Sequence, residues 1–173
     1  SGFVPISHWV HSEGNYGRII GEACHIFDLF YFLTEADPVS VSVKSIISNS
    51  DIIPITDNFV AQIGMSDGSC CSLVYTSLGN DSMGKEYMEL FFDGKSIVMD
   101  DYLSLKGYGF PLSFNKKVKV ADKGHFNLFS KFLVAAKDHN GVSPVSFDNI
   151  AKVTKLSLIV DRLARAGGGY EDL

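Results

Sequence analysis

At 173 residues the chain has room for one ordinary domain with a real core and too little for two comfortable ones. Its 46% hydrophobic and 12% aromatic content excludes a disordered segment, and a net charge of -5 gives no electrostatic case for binding nucleic acid or an anionic membrane surface. No run approaches the roughly 18 to 20 apolar residues that a membrane span needs, and no signal peptide opens the sequence.

Residues 1 to 17 carry Pro5, Gly14 and Gly17 without a clear period, which predicts an extended arm or loop holding His8, Trp9 and His11. From Arg18 onward Ile19, Ile20, Ala23, Cys24, Phe27 and Phe30 recur at helical spacing, widened by Ile26, Leu29 and Leu33, so a largely buried helix is expected. Glu22, His25 and Asp28 interrupt it at steps of three, and residues three apart on a helix are surface neighbours. They predict one polar stripe along the wall of a cleft, because three such groups are costly to bury without partners or a ligand. Gly21 lowers helix propensity by about 1 kcal/mol relative to alanine. Its expected reason is close approach of another backbone or a ligand.

After Asp37-Pro38, valines at 39, 41 and 43 alternate with Ser40, Ser42 and Lys44 as in a half-buried strand. Phe59, Ala61, Ile63 and Met65 alternate next, then Ser66-Asp67-Gly68-Ser69 turns the chain into a strand from Cys70 to Thr76. Tyr87 to Phe92 and Lys95 to Met99 flank Asp93-Gly94 as a second hairpin, followed by a strand near Tyr102, Ser104 and Lys106 that Gly107 and Gly109 end. Lys117 to Ala121 reads as a short edge strand, its alternating lysines a solvated face. Phe126, Phe129, Leu133 and Ala136 then mark a helix ending near Asn140-Gly141. Ser146 as N-cap, with Asp148 in the first turn, opens a last helix through Leu163 that Gly167-Gly168-Gly169 stops.

Strands joined by two-residue turns are antiparallel, and helices segregated to the chain ends must cover one face. The predicted class is α+β, a single domain over residues 1–173, with an open, mainly antiparallel β-sheet, helices on one face and the other face used for oligomerisation. Val60 opposite Phe59, Val74 opposite Leu73, and the run Leu90-Phe91-Phe92 argue that this second face is covered by another copy. Cys24, Cys70 and Cys71 are odd in number, and two are adjacent in a strand where their side chains diverge. A disulfide framework is not expected, and a reducing, cytoplasmic setting is.

The sequence has no Gly-x-Gly-x-x-Gly after a strand, no phosphate loop and no Gly-x-Ser-x-Gly, so no nucleotide site or serine nucleophile is expected within it. The stripe of Glu22, His25 and Asp28 admits three readings. A metal site is one, weakened by the lack of a second histidine at ligand spacing. A buried histidine satisfied by a carboxylate is another. The third is acid/base work, an imidazole exchanging a proton with a substrate hydroxyl while a carboxylate orients it.

Residues 17 to 29, Gly-Arg-Ile-Ile-Gly-Glu-Ala-Cys-His-Ile-Phe-Asp-Leu, resemble the helix that opens the C-terminal domain of the Gfo/Idh/MocA oxidoreductases, the family of glucose-fructose oxidoreductase and inositol dehydrogenase. A hairpin on Met65-Ser66-Asp67-Gly68-Ser69, a strand with Glu86 or Glu89 before Asp100-Asp101, and a closing helix are similar in layout. The resemblance implies a two-domain enzyme whose N-terminal Rossmann domain, absent from this chain, binds NAD or NADP and supplies a catalytic lysine. Ser1 in place of Met fits a piece cut from something longer. The chain would supply the pocket for a sugar, sugar derivative or polyol, and the surface that makes a homodimer or homotetramer. His25 would be the proton-transfer residue, with Glu22, Asp28, Arg18 and Trp9 as substrate contacts and no residue of this chain assigned to cofactor or metal. Many members carry aspartate four residues before the histidine, whereas Gly21 stands there and the acid, Glu22, lies three before. That displacement leaves a second reading, a non-catalytic dimerisation or scaffold domain of the same fold.

Overall fold

The structure, a computed structural model, describes residues 4–5, 7–12, 16–46, 54–80, 82–138 and 141–173; the expectations at Gly14 and Asn140 fall outside them. A π turn (Ile19–Ala23) leads into α1 (Cys24–Thr34), followed by β1 (Pro38–Ser45), β2 (Asn58–Met65) and β3 (Cys70–Thr76). Then come β4 (Tyr87–Phe92), β5 (Lys95–Asp100), β6 (Ser104–Tyr108), β7 (Lys116–Lys117), α2 (His125–Lys137), α3 (Phe147–Arg165) and β8 (Gly168–Asp172). The class is α+β, as expected. Its antiparallel strands divide into two open sheets, ordered β3-β2-β1-β8 and β4-β5-β6-β7, each in its own compact unit. One unit joins Gly2–Gly79 with Val145–Leu173, and the other is Asn80–Pro144.

In the first unit the alternation read from the sequence sets which face is covered. Val41, Val43, Phe59, Ala61, Ile63, Met65 and Tyr75 point to one side of the sheet, where they form a single cluster with Ile19, Ala23, Phe27, Phe30 and Tyr31 and with Val153, Leu156, Val160, Leu163 and Ala164 of α3. Val39 escapes the pattern and stays exposed because the register slips between Pro38 and Ser40, a bulge that takes it off the inward row. On the opposite face Val60 and Val74 are exposed among Ser42, Gln62 and Ser72. The first helix is not the uniform α-helix expected from Arg18: the Cys24 N–H reaches the Ile19 carbonyl, an i→i+5 bond. In a regular α-helix residues four apart drift by roughly 40°. The wider turn removes part of that drift between 19 and 23, so Ile19, Ala23 and Phe27 are all fully buried on one side.

Ser146 accepts from the Asn149 N–H as the expected N-cap of α3. The helix ends at Arg165, with Gly167 in the left-handed region at φ 84°. The three glycines do not end the ordered chain, however. Gly168 to Asp172 form β8, paired antiparallel with β1 from Lys44↔Gly168 to Ser40↔Asp172. This strand is a correction to the sequence reading: two glycines and no apolar alternation give it no side-chain signature.

In the second unit Asp93 and Gly94 both take positive φ, 47° and 71°, the requirement of a two-residue type I′ hairpin between β4 and β5. Gly107 does not end a strand as expected but lies inside β6, where a Cβ would stand 2.5 Å from Phe114 and 2.9 Å from Phe110. Those rings stack at 4.3 Å and close over the strand at that point. The expected edge strand from Lys117 to Ala121 shortens to Lys116–Lys117, paired with Leu105 and Ser104. Helix α2 forms where the spacing predicts, but buries none of its residues. Among the described residues no helix is long and apolar enough to cross a membrane.

Candidate active site

The chain enters the π turn through Gly17, where a φ of 75° and the approach of Thr56, 3.1 Å from the position of a Cβ, would strain a larger residue. From α3, Arg165 donates to the Tyr16 carbonyl at 3.1 Å while Asp161 holds its Nε at 2.7 Å. The start of the helix is thereby pinned to the third helix of the same layer.

Arg18 follows, only 5% exposed. Its Nε donates to Glu22 Oε2 at 3.0 Å and its Nη2 lies 2.9 Å from the same oxygen, the i,i+4 pairing a helix favours. Nη1 stands 3.5 Å from Asp57 Oδ2, and the guanidinium lies over the Tyr75 ring at 5.3 Å. The Tyr75 hydroxyl donates to Glu22 Oε2 at 2.7 Å. Asp57, fully buried where the chain enters β2, also faces His11 Nε2 at 3.5 Å. Next to it Asn58 accepts from the Ser77 N–H at 3.0 Å and the Thr76 hydroxyl at 2.8 Å, which fixes the backbone that carries Asp57. Two carboxylates, a guanidinium and an imidazole from the arm, the helix and the sheet thus share one buried network. Burial pushes the Asp57 carboxyl above the ordinary carboxylate range, against the opposing pull of His11 and Arg18. For Arg18 burial works to lower the pKa, but the neighbouring Tyr75, Glu22 and Asp57 outweigh it and hold the cation more firmly than in water.

The predicted polar stripe therefore splits in two. Glu22 turns inward to Arg18 and Tyr75, with about a quarter of its side chain exposed. His25 and Asp28 remain exposed on α1. Side chains on a helix lean toward its N-terminus. His25 does so, its Nδ1 meeting the Glu22 carbonyl. Donation to a carbonyl requires the proton on Nδ1, so this tautomer carries its basic lone pair on Nε2. Trp9 sits in a short 3-10 turn (Trp9–His11), 67% exposed, with its ring 5.5 Å from that of His8. Gly21 has no described atom within 4 Å of the position a Cβ would take, so the close approach of another part of the chain expected there is not found among the described residues.

Asp57 and Tyr75 escaped the sequence reading. Tyr75 had one available signal, its inward position in the β3 alternation. Asp57 had none, because its partners come from other elements. A cavity of about 200 Å³ elsewhere in the same unit is lined by Tyr31, Asp37, Lys152 and Leu156 among others, and none of the predicted site residues lines it. Of its two lysines, Lys152 is held by Asp37 at 2.8 Å and Asp148 at 2.9 Å. Among the described residues no group of three or more histidine, cysteine, aspartate or glutamate side chains is placed to hold a metal ion.

No family model matches the sequence, and no curated protein does. Solved structures do. The UDP-N-acetylglucosamine 3-dehydrogenase of Acidithiobacillus ferrooxidans superposes with a TM-score of 0.69 at 21% identity, covering 95% of this chain and 50% of that one. The aldose-aldose oxidoreductase of Caulobacter crescentus, complexed with glycerol, gives 0.71 at 15% identity over 99% of this chain and 52% of its own. An inositol dehydrogenase homologue of Azotobacter vinelandii, complexed with NADH and myo-inositol, gives 0.63 at 14% identity over 90% and 50%. The chain spans about half the length of these structures, and at such identities the likeness is one of fold. That fold is the one shared by the Gfo/Idh/MocA-type oxidoreductases, present here over a segment about half their size.

Proposed function

We propose that the chain is the substrate-side domain of an NAD(P)-dependent oxidoreductase acting on a sugar, sugar derivative or polyol, with His25 as the proton-transfer residue. The observation that carries this reading is the exposed imidazole of His25, set by the Glu22 carbonyl in the tautomer whose Nε2 accepts a proton. Neighbours of the same fold that act on UDP-N-acetylglucosamine and aldoses, or hold myo-inositol beside NADH, support the substrate class and the cofactor.

The residues of this chain do not fit a dinucleotide. Among the described residues no glycine-rich strand-to-helix loop offers backbone amides to a pyrophosphate. The cofactor is assigned to an N-terminal Rossmann domain outside this chain, where it would serve as the hydride partner. The work of this chain is confined to the substrate hydroxyl. Nε2 of His25 takes its proton as the carbonyl forms and returns it in the reverse direction. Asp28, one turn further along α1, is proposed to hold a second hydroxyl, and exposed Trp9 to offer an apolar face to the substrate ring. Glu22 and Arg18 act from behind in this reading, holding the turn on which His25 rests. We also propose that the sheet face bearing Val60 and Val74 packs on a second copy of the chain, in a homodimer or homotetramer.

The test is turnover by the full-length protein with NAD+ or NADP+ and a panel of UDP-N-acetylglucosamine, D-glucose and myo-inositol. His25→Ala is expected to lower kcat by about a hundredfold or more, the size of a lost general base. Unchanged turnover in that variant would refute the assignment and leave a non-catalytic scaffold of the same fold.

A further inference from the structure

A buried imidazole is costly unless its polar atoms are matched, and the arm before the π turn sinks one into the core. His11 keeps only 5% of its side chain exposed, and among the described residues its Nε2 makes no hydrogen bond. Asp57 Oδ2 stands 3.5 Å from it. From there a series of contacts leads to the helix. Arg18 lies 3.5 Å from the same oxygen and holds Glu22 Oε2 at 2.9 Å, while the Glu22 carbonyl meets Nδ1 of His25. The arm is therefore fastened to the turn beneath the exposed imidazole. The fastening reaches Trp9 through a short, heavily bonded piece of backbone. The His11 N–H donates to the His8 carbonyl at 2.9 Å, and the Ser12 N–H and hydroxyl both donate to the Trp9 carbonyl, at 3.1 and 2.6 Å. His8 Nδ1 accepts from the Val10 N–H at 3.3 Å. These bonds make residues 8–12 one stiff 3-10 turn. At three residues per turn, side chains two positions apart point roughly 120° apart, so His11 faces Asp57 while Trp9 is directed outward, 67% exposed.

We propose that His11 is a positioning residue: seated beside Asp57, it fastens the arm to the turn that carries His25 and so holds the Trp9 ring where it meets the ring of a hydroxylated substrate. This rests on the reading of His25 as the proton-transfer residue and of Trp9 as a substrate contact. A turn ordered in advance spares the substrate the cost of ordering it on binding. His25 itself is set by the Glu22 carbonyl, on a turn that Arg18 and Tyr75 hold without His11. Loss of the latch is thus felt in substrate binding and not in proton transfer.

Steady-state kinetics of His11→Ala in the full-length protein test it, with the panel of UDP-N-acetylglucosamine, D-glucose and myo-inositol and at a temperature well below each variant's unfolding midpoint. KM is expected to rise about three- to tenfold, the worth of one aromatic face, with kcat within about twofold of the wild type. Trp9→Ala should raise KM by as much, and the double variant by no more than either single change, since the latch acts only through the ring it holds. His11→Gln, whose amide reaches about as far as Nε2 and can donate to Asp57, should restore KM. His11→Phe, which fills the space without a polar atom, replaces the alanine variant should that one fail to fold. An unaltered KM in His11→Ala, a loss confined to kcat, effects that multiply in the double variant, or a glutamine variant as impaired as the alanine one overturns the proposal while Trp9→Ala and His25→Ala keep their effects. Unaltered KM in Trp9→Ala refutes Trp9 as a substrate contact. A wild-type protein that turns over no compound of the panel, or a fully active His25→Ala, refutes the underlying reading, and in each of these cases the proposal falls with it.

Discussion

Replacing Arg18 by methionine tests the buried network most directly. Methionine is about as good a helix former and covers the Tyr75 ring with a similar apolar stem, so the change isolates the guanidinium. Its loss leaves Asp57, fully buried, with His11 opposite at 3.5 Å and the Thr56 hydroxyl donating to its Oδ1 at 3.5 Å. Stranding one partner of a buried ion pair costs about 3–5 kcal/mol. Glu22 is a quarter exposed and keeps the Tyr75 hydroxyl, so it rehydrates in part, and the expected loss sits at the lower end, about 3 kcal/mol. Asp57→Asn alone should cost less, about 1–3 kcal/mol, because it removes the buried charge along with its partner contact. The double variant should then fall short of the sum by about 1–3 kcal/mol, since the two residues share one interaction. The pH dependence has a definite sign. Burial already raises the Asp57 carboxyl above its unfolded value, and removal of Arg18 raises it further. The penalty of the charged form therefore grows as pH rises through the folded pKa, so the Arg18→Met deficit should be smaller near pH 5 than near pH 7. Urea unfolding followed by the fluorescence of Trp9, the single tryptophan and a member of this unit, measures all three variants. A deficit under about 0.5 kcal/mol, strict additivity, or a deficit that grows on acidification refutes the reasoning.

Further outcomes follow from single positions. Burial, with Asp37 adding to it, pushes the Tyr31 hydroxyl up to about 12 from its ordinary value of 10.0. The unfolded chain loses that proton first, so stability should fall by up to about 3 kcal/mol as pH rises from 10 to 12, and Tyr31→Phe should abolish this part of the alkaline loss in thermal unfolding. Gly107→Ala drives a Cβ to 2.5 Å from Phe114, and the ring must move. The cost should be about 1–3 kcal/mol, read as faster hydrogen exchange across β5 and β6 with the first unit's amides unchanged. Val74→Lys on the open sheet face should lower the oligomer mass in light scattering if that face is an interface, and leave it unaltered if the face meets water.

Much of the architecture could be read from short stretches because its causes are local. Asp93-Gly94 forms its hairpin through the φ values only those residues take cheaply, and Ser146 starts α3 by capping amides three residues away. Phe59, Ala61, Ile63 and Met65 fall on the covered face because a strand's period of two does not depend on what covers it. The Arg18–Glu22 pair is local in the same sense, one turn apart on one helix.

The remainder was settled at a distance. Strand β8 exists because β1 presents an unpaired edge whose ladder needs backbone and no side chain, and Gly168 fits where a Cβ would stand 2.8 Å from the Val43 carbonyl oxygen. The division into two sheets has no turn signature, since a hairpin fixes its own pair of strands and says nothing of the next one. Asp57 and Tyr75 join Glu22 and Arg18 only once β2 and β3 lie under the first helix. The sequence thus determined where the chain turns, which residues are apolar on which face, and that a histidine stands on the first helix among acids. Tertiary structure alone decided that Glu22 faces inward while His25 faces out, because the Tyr75 hydroxyl that Glu22 accepts from, and the Asp57 carboxylate beside Arg18, reach the helix only once the sheet has packed against it.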